Sequence, residues 1–211
     1  MYHKISRILA SLFIALVANV LVAAENKPLE SPNVYLEKVA NAMIVEVEKN
    51  RAELKTNKKL ATSLVHSTLI PAIDTKVFAR LTLTSKKWKT LSEPQQERFT
   101  KNFIDLVVGN YASGLSFYDG QKFKFSKPIF SKSGKTAKVR SSMQQAVGNP
   151  IIIDYKLSNK TGTWKIIDLT IEGVNMVKSY RTQFLPRLQS LGIDGFLEDM
   201  EGVKFPMQTT L

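Results

Sequence analysis

Three aspartates in the 211-residue chain stand beside apolar residues: Asp74, Asp154 and Asp168. A carboxyl group in such a setting is raw material for acid–base chemistry, because desolvation raises its pKa toward neutrality. Asp168 has the most suggestive surroundings, inside the run Trp164–Ile171 with Tyr155 across a predicted hairpin. Cone-shaped isomerase folds use a buried Asp or Tyr in this way. The competing assignment is a hydrogen-bonded structural Asp at a strand end. The rest of the catalytic inventory is thin. His66 is the only histidine beyond His3, and Leu64, Val65 and Leu69 surround it on a predicted helix, as they would a surface or satisfied core residue. The chain has no Cys, which removes thiol nucleophiles and thiolate metal sites. No cluster has metal-ligand spacing, and no nucleophile elbow, Walker A or dinucleotide fingerprint occurs. The expectation is a protein that is not an enzyme and carries neither cofactor nor metal.

The first residues read as a secretory signal. Lys4 and Arg7 form a basic region, an apolar stretch runs from Ile8 to Val22 broken by Ser11 and Asn19, and Val22-Ala23-Ala24 offers a cleavage site. The stretch is shorter than the roughly 20 residues a membrane-spanning helix needs. Residues 1–24 are therefore expected to be removed after Ala24, releasing residues 25–211 as one domain into a Gram-negative periplasm. No Cys follows the stretch, which excludes a lipoprotein anchor. The formal charge is +12; without Lys4 and Arg7 it is +10. That balance favours anionic membranes or acidic protein surfaces, and export argues against nucleic acid. Lys86, Lys87 and Lys89 around Trp88, and Lys122, Lys124 and Lys127, are candidates for transient docking or plain solubilising charge.

The elements follow from hydrophobic periodicity. Val34, Leu36, Val39, Ala40, Met43, Ile44 and Val47 recur at helical spacing, predicting a helix to about Glu53. A second helix is predicted over Asn57–Leu69, broken by Pro71, and a third around Ile73, Val77, Phe78 and Leu81. Ser92-Glu93-Pro94 starts a long helix with Phe99, Phe103, Leu106, Val107, Tyr111 and Leu115 on one face, ending near Ser116. The period then changes. Lys122–Phe125, Thr136–Arg140, Ile151–Leu157 and Trp164–Ile171 read as consecutive strands joined by short turns. A last helix is predicted from Val174-Asn175, with Val177, Tyr180, Phe184, Leu188 and Leu191 on its face, Pro186 kinking it and Gly192 ending it. The fold class is α+β: a twisted antiparallel sheet of at least four strands with helices packed on it. Trp164 and Ile166 point one way and Ile167, Leu169 and Ile171 the other, so the last strand needs apolar cover on both faces.

Taken together the segments resemble the MlaC family, periplasmic phospholipid carriers also known as toluene-tolerance proteins. Leu69-Ile70-Pro71-Ala72-Ile73-Asp74 with Ala79-Arg80 and Trp88 carries part of the likeness, and Gln95-Gln96 through Tyr118-Asp119-Gly120 a second part. The most specific part is Trp164-Lys165-Ile166-Ile167-Asp168, Ile171-Glu172-Gly173-Val174 and Tyr180-Arg181-Thr182-Gln183-Phe184, closed by Gly192-Ile193-Asp194-Gly195. Two positions depart from the family pattern: Thr84 where Gly is usual, and Asn175 where Ser is usual. The resemblance implies an apolar cavity between sheet and helices that holds the acyl chains of a phospholipid, the cargo, with its head group in water. It also implies exchange with an outer-membrane lipoprotein–porin complex and an inner-membrane ABC transporter bearing MCE domains.

The expected cavity lining is Phe78, Leu81, Phe103, Val107 and Tyr111 from the helices, with Val139, Tyr155, Trp164, Ile166, Val174, Val177 and Phe184 from the sheet and last helix. Ordinary core packing is the alternative for each. Two whole-protein alternatives stay open at this level: an enzyme acting on an apolar small molecule through Asp168 or Asp74, and a basic adaptor with a solid core.

Overall fold

A computed structural model describes residues 29–202; the signal segment and its cleavage site after Ala24 lie outside the described residues. Six helices come first: α1 (Pro32–Lys49), α2 (Arg51–Leu54), α3 (Lys58–Leu64), α4 (Thr75–Thr82), α5 (Ser85–Thr90) and α6 (Glu93–Tyr111). Strands β1 (Phe123–Phe125), β2 (Ile129–Phe130), β3 (Thr136–Met143), β4 (Ile151–Ser158), β5 (Lys165–Ile171) and β6 (Val174–Asn175) follow, and α7 (Met176–Gly202) completes the order. The architecture is the expected α+β, with six antiparallel strands.

Local chemistry sets most boundaries. Ser92 and Gln95 form a reciprocal capping box with Pro94 in the first turn of α6. Asn57, Asp74 and Thr84 accept hydrogen bonds from Leu60, Val77 and Lys87 backbone N–H groups and cap α3, α4 and α5. The first helix stops at Lys49 rather than running to Glu53, because Asn50 leaves helical dihedrals and turns its side-chain amide onto the Glu46 carbonyl, 2.8 Å away. The expected helix over Asn57–Leu69 widens into a π turn at Val65–Leu69 and tightens into a 3-10 turn at Ile70–Ala72, where Pro71 has no N–H to donate. Trp88 itself lies in α5 and is buried. Residues Ala112–Phe117 form a 3-10 turn, so α6 ends at Tyr111 instead of Ser116.

The sheet order is β1-β3-β4-β5-β6, with β2 also pairing to β3. Two short strands thus share one edge of β3, β1 against Ser141–Met143 and β2 against Ala137–Lys138, and Pro128 lies between them. That edge has little backbone left to offer another strand. At the opposite edge, Glu172 (φ 48°) and Gly173 (φ 79°) make the two-residue turn into β6. Positive φ at both positions is the signature of a type I′ hairpin turn. Val174 and Asn175 were expected to begin the last helix; the turn instead folds them back onto Ile171 and Thr170. A register shift opposite Lys156/Leu157 makes a bulge in β5. The strict alternation expected there is therefore broken, and Ile166 and Ile167 are both buried.

Helix α7 reverses at Gly192, where φ is 67° and ψ 179°. Rings of Phe184 and Phe196 lie 5.5 Å apart, and Arg187 pairs with Asp199, 12 residues away. A straight helix would separate such positions by about 18 Å. The non-helical dihedrals fall at Gly192, a residue that tolerates them, and not at Pro186, where a kink was expected.

Candidate functional site

The buried apolar residues divide into two clusters. One is helical, built on Phe78, Phe99, Phe103, Tyr180, Phe184 and Phe196, each at most 1% exposed. The other lies between α1 and the sheet: Leu36, Ala72, Ala137, Val139, Leu157, Trp164 and Ile166. Two half-buried side chains, Ile73 and Leu169, pack against both. Ile73 forms an isolated parallel bridge with Ile166 on β5, and the Asp74 N–H donates to the Ile166 carbonyl at 2.9 Å. The helix layer therefore meets the sheet at the start of α4.

The expected lining residues fall on both sides of this seam. Phe78, Leu81, Phe103, Val107, Tyr111, Val177 and Phe184 belong to the helical cluster. Val139, Tyr155, Trp164 and Ile166 belong to the sheet cluster. Val174 stands half-buried in β6. Tyr35 and Val39 of α1, Phe125 of β1 and Leu115 and Tyr118 after α6 are also half-buried against one cluster or the other. The sequence marks Val39 and Leu115 only as members of helical stripes, and Ile73 only as the start of a predicted helix and part of the Leu69–Asp74 motif; nothing in it places Ile73 between two clusters.

Three tyrosine phenols face the interior. Burial pushes the Tyr111 phenol up, and its O–H reaches Met176 Sδ at 3.3 Å. Burial also raises Tyr155 and Tyr180, in each case partly offset by a hydrogen bond, from Ser141 and Asn110 respectively. A phenol raised in this way stays protonated at neutral pH.

The three carboxylates singled out by the sequence all hold structure. Asp74 caps α4. Asp154 takes a bidentate pair from Arg140 at 2.7 and 2.9 Å, which holds its carboxyl below the usual range. Asp168 accepts from the Leu169 N–H (2.8 Å), the Asn175 amide (2.7 Å) and the Val177 N–H in the first turn of α7 (3.4 Å). It ties β5, β6 and α7 together, and a carboxylate there is favoured by the helix N-terminus. His66 is exposed on the π turn, 3.9 Å from Asp105. Arg181 donates to the Leu81 carbonyl in the last turn of α4, while its Nε is buried without a partner among the described residues.

Among the described residues, the opposite face of the sheet carries no helix. A concavity of about 800 Å³ opens there, bordered by Ile129, Lys138, Arg140, Asp154, Lys156 and Thr170, with Val139 and Tyr155 also lining it. Among the described residues no helix is long and apolar enough to cross a membrane.

The sequence model of the MlaC protein family matches residues 37–202, from within α1 to the end of α7. The chain belongs to the MlaC family. It is 26% identical over 174 residues, 81% of each chain, to the intermembrane phospholipid transport system binding protein MlaC of Haemophilus influenzae. Identity to the toluene tolerance protein ttg2D of Pseudomonas putida is 24% over 165 residues, covering 78% of this chain and 76% of that one. The phospholipid-binding protein from Ralstonia solanacearum, solved in complex with a phospholipid, has the same fold: TM-score 0.74 at 19% identity, covering 82% of this chain and 96% of that one. Against the MlaC pattern, both departures are helix caps. Thr84 Oγ1 accepts from the Lys87 N–H at 3.2 Å. Asn175 Oδ1 accepts from the Lys178 N–H at 2.8 Å while its amide holds Asp168.

Proposed function

We propose that this MlaC-family chain is a non-catalytic carrier that ferries phospholipid through the periplasm. The acyl chains lie between the helix layer and the sheet and the head group stays in water. The observation that carries this reading is the divided core: two apolar clusters joined through half-buried Ile73 and Leu169, with half-buried apolar side chains along both walls. A seam of that kind parts more readily than a continuous core, because fewer contacts are lost on separation.

The magnitudes make such a carrier necessary. Each CH₂ withdrawn from water is worth about 0.8 kcal/mol, so two full acyl chains represent roughly 20 kcal/mol or more. No soluble protein moves such a molecule unless it offers a nearly equivalent apolar site. Hydrogen bonding of Asp74, Asp154 and Asp168 to caps and partners supports a carrier over an enzyme. On this reading residues 1–24 are lost on export. The freed chain exchanges cargo with the outer-membrane lipoprotein–porin complex and the inner-membrane MCE-domain transporter that the family resemblance implies.

The test is direct transfer. The mature chain, incubated with phospholipid vesicles and separated from them, is expected to retain intact phospholipid. An empty protein, or recovery of chemically altered lipid, would overturn the proposal.

A further inference from the structure

On the face of the sheet that no helix covers among the described residues, cations crowd two acids: Lys156 lies opposite Asp168 in the β4–β5 register, and Lys138 acts with Arg140 on Asp154. Lys138 of β3 and Lys156 of β4 are directly opposite each other in the register. Like charges in that position destabilise a sheet. Neither lysine, nor Lys127 beside them at the rim, forms an ion pair among the described residues. The two acids on this face are already engaged: Asp154 by Arg140, and Asp168 by Asn175 and backbone N–H groups. Lys127, Lys138, Arg140 and Lys156 line the hollow against only Asp154 and Asp168, so the field over it is positive.

Shape and backbone narrow the occupant. The face is hollowed to about 800 Å³, and a helix with its side chains is roughly 10–12 Å across, which a hollow spanning several strands at about 4.8 Å spacing can seat. Strand addition is blocked, since β1 and β2 split one edge around Pro128 and β6 and Ile73 occupy the other. Ile129, 72% exposed at the margin of the hollow, supplies an apolar contact beside the charges.

We propose that this face is a docking site for an acidic helical segment of another protein, whose carboxylates sit against Lys138 and Lys156 and whose apolar edge covers Ile129. The site lies on the side of the sheet away from both clusters and does not depend on what the seam carries. Docking through it leaves the helix layer free to part.

The experiment uses the isotope-labelled mature chain and a short synthetic helical peptide with Glu along one face. Resonance shifts are expected at Ile129, Lys138, Lys156 and Thr170, vanishing in about 1 M salt, where the screening length falls to about 3 Å. The double variant Lys138→Glu/Lys156→Glu is expected to bind at least about tenfold more weakly. Lys138→Gln alone relieves the repulsion, so its Tm is expected to be unchanged or a few degrees higher while peptide binding still weakens. Shifts centred instead on Lys86, Lys87 and Lys89 of α5, or equal binding by the double variant, would overturn the site. Binding of phosphatidylglycerol vesicles through this face with no response to the peptide would overturn the protein partner.

Discussion

The helix layer holds Phe78, Phe99, Phe103, Phe184 and Phe196 at 0–1% exposure, whereas the sheet leaves Ile151, Ile153, Tyr155, Leu169 and Ile171 half-buried. The helical aromatics also interlock. Phe103 meets Phe78 at 5.4 Å and Tyr180 at 5.2 Å, both edge-to-face at 88°, and Phe99 touches Trp88, Phe184 and Phe196. Such pairs add to area burial and lose contact on small displacements, so this layer behaves as a fixed wall. The sheet wall is less completely covered and has more to gain from an apolar ligand. Its other face carries the hollow lined by Lys127, Lys138, Arg140 and Lys156. On the proposed reading, one layer supplies stability, and the other meets cargo on one side and a partner on the other.

Substitutions separate the two walls. Phe103→Ala removes a fully buried ring from the interlocked layer and is expected to cost about 3–5 kcal/mol, a fall in Tm of roughly 6–20 °C in a thermal melt. Leu169→Ala on the seam is expected to cost less stability, near 2 kcal/mol, yet to reduce phospholipid uptake from vesicles more than its stability loss explains. If Leu169→Ala destabilised as much as Phe103→Ala and left uptake unchanged, the two walls would be one core.

Asp168→Asn tests the junction beneath the sheet wall. It keeps the shape but weakens the acceptor for α7, at an expected cost of about 1–3 kcal/mol, with lipid uptake preserved in the folded fraction. Loss of a chemical turnover on this substitution would favour an enzyme.

The smallest effect concerns pH and lies on the helical side. Hydrogen bonds from Arg98 and Asn102 hold Glu201 down at about 2. Because the folded value lies below the unfolded one, its stabilisation is present above the ordinary carboxylate range and is lost as pH falls through about 2. Glu201→Gln is expected to flatten that part of the acid-unfolding curve, whereas acid sensitivity of lipid release is expected to be unchanged.

Much of this arrangement is legible in the sequence because it is local. The stripes on α1, α6 and α7, the Ser92 start, the turns at Gly120, Gly134 and Gly162 and the Gly192 break all rest on residue type and period. What is not legible depends on register. β6 is two residues long, and without the hairpin turn at Glu172-Gly173 its residues look like the start of a helix. The bulge that buries both Ile166 and Ile167, the Arg140–Asp154 pair and the opposed Lys138 and Lys156 exist only once β3, β4 and β5 are aligned. The expected lining residues are apolar residues of the right elements. Their division between two clusters, and the place of Ile73 between them, come from tertiary packing that no single segment encodes.

The central claim is that cargo lies between the two layers, and the Cys-free chain allows it to be tested by a single cross-link. Ile73 and Ile166 are bridge partners across the seam, so an Ile73→Cys/Ile166→Cys variant can be closed by oxidation and reopened by reduction. The mature protein isolated without detergent from its own cells is expected to carry phospholipid by native mass spectrometry. The variant, oxidised while empty, is expected to take up at least about tenfold less lipid from vesicles and to recover on reduction, a change of about 1.4 kcal/mol or more. Equal loading of the oxidised and reduced forms would place the cargo elsewhere and contradict the account.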